Sequence, residues 1–445
     1  MEAVGRALQR GQRMIRAEPL SGAYFWLAAF FIVYCARPED WIPGLHLIPI
    51  AKISGLLALL ALLLSLGRAK RRLQDLPLEI LYLFLLIGQL FASAMISPVW
   101  RGGAFFNTLD FAKAFVTVLV IVLAVTTLSR LRRLLFIQTA SVVAVGVISV
   151  IKGHSRPRLT GVLHGIYENP NDLAFAIVLT LPFCFAFLLK TGSWIRKAGW
   201  AAAMLVLVTA LFLTASRAGL IALIVTGMIC LWHFAIKGRR PHLLIVVTVI
   251  VAALALFQGN KVKSRFLAMS GEEEASGVDN TSAYGSYLQR RELMVRSWSG
   301  ILKHPLFGIG TKNFVSYSGM WREVHNSFLQ IGVEGGLPAL ALYLLIFWQA
   351  FANLRRLKRI PDLDDETKLY YAALQSTLVG FLVGASFAPE AYQYFPYFTV
   401  SYTWVLLAIA EERRRAQTEA GLTPALAPER AAYARQRRSA AVWSG

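Results

Sequence analysis

Apolar runs of helix length recur along the chain near 21–36, 47–66, 77–96, 109–128, 132–151, 172–190, 194–214, 217–236, 241–257, 326–352, 369–388 and 393–411. About twenty apolar residues cross a bilayer as a helix, and only the first run falls clearly short. The pattern predicts an all-α polytopic membrane protein with about twelve transmembrane helices. One polar segment stands out, Gln258 to His325, between the ninth and tenth runs. Within it, Tyr287–Lys303 reads as an amphipathic helix, with Leu288, Val295 and Leu302 seven residues apart and Trp298 on the same side. That helix is expected to lie over the membrane mouth. His304-Pro305 ends it, and Gly308 and Gly310 supply a tight turn.

Composition agrees. The chain is 56% hydrophobic, too apolar for a soluble fold. Its net charge of +21 could suggest nucleic acid, but basic residues in membrane proteins mark cytoplasmic loops. With the N-terminus inside, 29 of the 46 basic residues fall on inner segments, and the 25 acids split 12 inside and 13 outside. Every inner loop is then basic, so both termini are expected in the cytoplasm. The predicted organisation is a cytoplasmic segment 1–20, a membrane domain 21–411 with a large periplasmic loop over 258–325, and a cytoplasmic tail 412–445 without regular structure. The first run reads as a membrane helix and not as a removed signal peptide. Cys35, Cys184 and Cys230 lie in apolar runs and read as buried hydrophobes.

Several positive charges fall on the outer side against this bias, among them Arg37, Arg101, Arg158, Arg217, Arg265, Arg290, Arg291, Arg296 and Arg322. Headgroup contact or solvation accounts for many of them. Arg217 is different, because it sits in LTASRAGLIAL, in a turn too short to be a loop. A charge there should face a cavity or a partner, and the guanidinium fork suits phosphate oxygens. His325 precedes an apolar run and can take a proton from a hydroxyl. Asn326 and Ser327 can cap the helix that follows. Glu334 lies inside that run, so it needs a partner, for which an arginine or lysine is expected. Asn169-Pro170-Asn171-Asp172 stops the chain and caps the next helix; a substrate role for Asn169 or Asn171 is the sharper alternative. Glu272–Glu274 reads as a solvated charge run. No DxD-type carboxylate pair, Cys/His cluster or glycine-rich nucleotide loop is evident, so neither a metal nor a cofactor is expected.

These pieces together resemble the O-antigen ligase and O-antigen polymerase superfamily of bacterial envelope enzymes. The matching parts are NPNDLA at 169–174, TASRAGL at 214–220, RREL…HPLFGIGTKNF at 290–314 and HNSFLQIGVEGGLP at 325–338. The resemblance implies a glycosyltransferase of the bacterial inner membrane, active on its periplasmic side. It would take a glycan from undecaprenyl diphosphate and pass it to a sugar hydroxyl, of the lipid A core or another glycan, with inversion and without a metal. By match of motif, His325 would be the base on the acceptor hydroxyl. Arg217 with Arg290 or Arg291 would hold the diphosphate, with Arg265 a weaker candidate, and Glu334, Asn326, Asn169 and Asn171 in support. Partners would be the lipid-linked donor, the acceptor and membrane lipids, with no nucleic acid. The N-terminal region does not match a classical lipopolysaccharide ligase and resembles relatives of exopolysaccharide systems, which leaves the acceptor open; an O-antigen or exopolysaccharide polymerase is the alternative. A twelve-helix transporter or flippase is the reading from another class. It should carry charges near mid-membrane in paired halves, whereas here they collect at one face.

Overall fold

The computed structural model describes residues 20–71, 75–153, 158–161, 167, 169–245 and 279–442. Every predicted run coincides with a helix except 241–257, which lies mostly outside the described residues. In chain order the helices are α1 (Ser21–Ala36), α2 (Ile50–Leu64), α3 (Leu78–Ile96), α4 (Arg101–Ala124), α5 (Leu128–Gly153), α6 (Pro170–Lys190), α7 (Trp194–Thr214) and α8 (Arg217–Cys230), the last continued by a π-helical turn at Leu231–Lys237. There follow α9 (Asp279–Lys303), the single turn α10 (Phe314–Tyr317), α11 (Ser327–Lys358), α12 (Asp365–Ala385) and α13 (Tyr394–Val442). Among the described residues, seven helices, α3 to α8 and α11, are long and apolar enough to cross a membrane. The helices α1 and α2, of 16 and 15 residues, are shorter.

The helices pack as one bundle, α3 against α4 and α11, and α6 against α7, α8 and α12. Two ends can be told apart. At one, Glu366 at the start of α12 accepts both guanidinium nitrogens of Arg132 on α5, at 2.7 and 3.0 Å, and also pairs with Lys190 at the end of α6. Arg71 is buried at this end. Its Nη1 donates to the carbonyls of Val122 and Val125 at the end of α4, at 2.8 and 3.0 Å, where terminal carbonyls lack helical partners. Glu412 lies 3.4 Å from the Arg71 Nε. Charge counting assigns all these residues to one membrane side, and here they share one end. The motif residues gather at the other.

The predicted run at 326–352 differs from a single straight helix. Within α11, Gly336 has φ +81° and ψ 176°, which is not helical. The rings of Phe328 and Tyr343 lie 6.0 Å apart, whereas in a straight helix fifteen residues separate two positions by about 22 Å. The segment Ser327–Gly335 therefore folds back against the start of the segment after Gly336. The 22 residues from Leu337 to Lys358 span about 33 Å, enough to cross a membrane by themselves. Breaking a helix frees backbone groups, and the 304–313 loop occupies them. The N–H groups of Ile309 and Gly310 donate to the carbonyls of Val333 and Glu334 at 3.0 and 2.9 Å, and the Leu337 N–H donates to the Pro305 carbonyl at 2.7 Å. From α3, Gln89 donates to the carbonyls of Leu306 and Gly335, at 2.7 and 3.0 Å, and Ser93 to that of Glu334 at 2.6 Å.

This docking explains the glycines of HPLFGIG and VEGGLP. A Cβ on Gly336 would stand 2.5 Å from the Leu306 carbonyl oxygen, and one on Gly308 2.5 Å from the Glu334 carbonyl carbon. Replacing Gly336 with alanine combines that clash with a left-handed backbone, so it should cost about 2–3 kcal/mol. A Cβ on Gly88 meets nothing within 4 Å. Thermal unfolding in detergent should therefore show a clear loss for Gly336→Ala and none for Gly88→Ala; equal behaviour would exclude a strained reversal.

Helix α9 covers the segment 287–303 read as amphipathic and starts earlier, at Asp279. Its face toward the bundle is formed by Leu293, Ser297, Gly300 and Ile301, with Ile301 and Gly300 against Gly332 and Val333 of α11. The stripe predicted from spacing, Leu288, Val295, Trp298 and Leu302, is exposed on the opposite side.

Candidate active site

Three helix starts build the site. Asn169 is the N-cap of α6 and accepts the Asn171 N–H at 3.0 Å. It is exposed, and capping accounts for it. Asn171 reaches across instead, accepting the Ser216 hydroxyl at 2.7 Å. Ser216 in turn caps α8 by accepting the Gly219 N–H at 3.1 Å. A Cβ on Gly219 would lie 2.6 Å from the Ala174 Cβ, so the glycine lets α8 start hard against α6. The NPNDLA and SRAG motifs are thus one contact, and it fixes Arg217 as the first residue of α8.

The third start is that of α11. Asn326 accepts the N–H groups of Phe328 and Leu329, both at 3.0 Å, and donates to the Ser386 carbonyl at 3.1 Å. Ser327 donates to the Ala388 carbonyl at 2.7 Å and accepts the Glu390 N–H at 2.9 Å. Both residues following His325 therefore anchor the chain between α12 and α13. His325 is left out of this anchoring. Its Nδ1 is enclosed and has no hydrogen-bond partner among the described residues.

Arg290 enters from α9, on the face toward the bundle. Burial lowers its pKa, and Arg217 lowers it further. Burial also lowers the His325 pKa, to about 4, aided by Arg290 and then Arg322. Arg290 is thus within electrostatic reach of both Arg217 and His325, and its enclosed Nε has no hydrogen-bond partner among the described residues. Two guanidiniums held close, next to a histidine kept neutral, form a site prepared for an anion beside a proton acceptor. Arg291 is exposed on the other side of α9. Arg265 lies outside the described residues.

Glu334 is buried, but the basic partner expected for it is replaced by a phenol. The Tyr392 hydroxyl donates to its Oε2 at 2.6 Å. Glu334 thereby ties the folded-back half of α11 to the chain before α13, and its carbonyl holds the 304–313 loop. Other outer cations are structural. Arg37 pairs with Asp40 at 2.6 Å and Glu39 at 3.1 Å, Arg296 pairs with Glu292 at 2.8 Å, and Arg158 donates to the Thr214 carbonyl at 3.0 Å.

The sequence reading passed over Glu390. It is 4% exposed and sits between α12 and α13. Burial raises its pKa, and Asp172, hydrogen-bonded to it, raises it further. The signal was available, since Glu390 is the one acid in the segment joining the last two apolar runs. Among the described residues, no group of three or more His, Cys, Asp and Glu is placed to hold a metal ion.

Residues 201–344 match a family model described as O-antigen ligase. The match runs from α7 through Arg217 and Arg290 to His325 and the folded-back part of α11. No curated protein matches the chain.

Proposed function

We propose, with the support of the match of residues 201–344 to the O-antigen ligase family model, that the chain transfers a glycan from undecaprenyl diphosphate to a sugar hydroxyl. The reading is of a twelve-span enzyme of the inner membrane, with both termini cytoplasmic and the site on the periplasmic face. One observation carries the chemistry: Arg290, half-buried, is within electrostatic reach of both Arg217 and His325.

His325, neutral at physiological pH, accepts the proton of the acceptor hydroxyl. The oxygen forms a bond to the anomeric carbon as the bond from that carbon to the diphosphate breaks on the opposite face, inverting the centre. The electron pair leaves on undecaprenyl diphosphate, and Arg217 and Arg290 meet its growing charge. Asn171 and Ser216 position Arg217. Asn326 and Ser327 position His325. Because cations take the leaving group, this chemistry needs no metal. Transfer to the lipid A core is the favoured reaction, and stepwise polymerisation the alternative.

The test is reconstitution of the purified protein in lipid vesicles with an undecaprenyl diphosphate-linked oligosaccharide, with and without lipid A-core. A single added glycan on the core supports ligation, a ladder without the core supports polymerisation, and an intact donor in both refutes glycan transfer. Arg217→Lys keeps the charge and loses the planar fork. It should lower kcat/KM at least tenfold, and an unchanged rate would remove Arg217 from the leaving-group site.

A further inference from the structure

A narrow crevice of about 10 Å³, room for one water-sized group, lies beside the starts of α6 and α13. It is lined by Asp172, Glu390 and Gln393 among the rings of Phe175, Phe381 and Phe395. We propose that this crevice is an anchor point of the acceptor subsite, in which the Asp172–Glu390 pair grips one hydroxyl of the acceptor sugar and so turns another toward His325. The inference rests on the glycan-transfer reading above.

Three observations support it. Glu390 is 4% exposed, yet its Oε1 has no hydrogen-bond partner among the described residues. A buried carboxylate oxygen left open costs free energy unless a ligand completes it. Asp172 meets Glu390 through a hydrogen bond, so the pair presents both donor and acceptor capacity. A sugar hydroxyl, which donates and accepts, matches such a pair, whereas a diphosphate would be repelled by it. Gln393 adds an amide with both functions.

Placement supplies the third observation. Asp172 follows Asn171, which is bonded to Ser216, the residue before Arg217. The Glu390 N–H is bonded to Ser327, two residues after His325. The acidic pair is therefore tied to both halves of the basic site, Asp172 toward Arg217 and Glu390 toward His325. Anionic leaving group and neutral acceptor are sorted by charge across a single site.

The variants are Glu390→Gln and Asp172→Asn, each isosteric, each checked for a wild-type thermal transition. Steady-state transfer is measured with saturating undecaprenyl diphosphate-linked oligosaccharide and varied lipid A-core; if the product is a polymer, the glycan repeat freed of its lipid is the varied acceptor. Undecaprenyl diphosphate affinity is titrated separately by tryptophan fluorescence. The acceptor KM should rise at least tenfold in both variants, with diphosphate affinity changed less than twofold. An unchanged acceptor KM, or a loss of diphosphate affinity as large as the KM effect, overturns the assignment. If one variant fails to fold, the other decides. Absence of transfer by the wild type would bring down the underlying function and this subsite with it, whereas an active wild type with indifferent variants brings down the subsite alone.

Discussion

Replacing His325 with alanine should lower kcat for glycan transfer by about 10²–10⁴-fold while leaving the fold intact. The two effects separate because the structural work at this point of the chain falls to its neighbours. Asn326 caps the folded-back helix and Ser327 ties it to Ala388 and Glu390, while the His325 Nδ1 bonds to nothing among the described residues. Deleting the imidazole therefore breaks no bond recorded at that atom. The pH profile carries a second signature. The His325 pKa is lowered to about 4 by burial and by the charges of Arg290 and Arg322. A base works when unprotonated, so kcat/KM, which reports the free enzyme, should hold level from pH 8 to about pH 5 and fall as pH drops through about 4. A bound diphosphate offsets the arginine charges, so the acid limb of kcat should lie at higher pH than that of kcat/KM. Transfer within a factor of two of wild type in His325→Ala would exclude the histidine as base. A profile whose two acid limbs coincide would argue that the arginines do not meet the donor's charge.

Much of the architecture was legible because a bilayer admits few solutions. Apolar runs of membrane length became helices, and charges counted to one side met at one end of the bundle, as Arg132, Lys190 and Glu366 do. The folded-back half of α11 was hidden by the same rule. A hydropathy window sees Ser327–Lys358 as one long apolar stretch, and the reversal is written only in the adjacent glycines Gly335 and Gly336 and in the loop that fills the gap. The partner of Glu334 was misjudged for a related reason. A buried carboxylate was expected to need a cation, yet a phenol from 58 residues away satisfies it, and no local pattern in the sequence points to Tyr392. Glu390 was visible as an isolated acid. It gained meaning only when the fold brought it against Asp172, more than two hundred residues earlier.

Spacing separates Arg290 from Arg291 but does not choose between them. On a helix, Leu293, Ser297 and Ile301 lie three, seven and eleven residues from Arg290 and share its face. Arg291 falls instead among Leu288, Val295, Trp298 and Leu302. Spacing alone could not say which face met the protein, since both are partly apolar; packing against Gly332 and Val333 decided it.

That geometry sets the second large effect. On the proposed function, Arg290→Ala removes a guanidinium that meets the departing diphosphate, and loss of such a group costs about 10²–10³ in kcat. Arg291→Ala, on the exposed face, should change the rate less than twofold. Stability gives an independent reading. Arg217 already disfavours the charge on Arg290, so removing Arg290 relieves repulsion between like charges and should leave thermal stability unchanged or raised, whereas a structural arginine would leave a gap and lower it. Adding undecaprenyl diphosphate should raise the transition temperature of the wild type, because a ligand bound only by the folded state stabilises it. In Arg290→Ala that rise should shrink. Arg290→Lys should fall between, with charge present and fork absent. A larger defect in Arg291→Ala than in Arg290→Ala would mean that α9 presents its other face to the donor, and the arrangement of Arg217, Arg290 and His325 would no longer account for the leaving group.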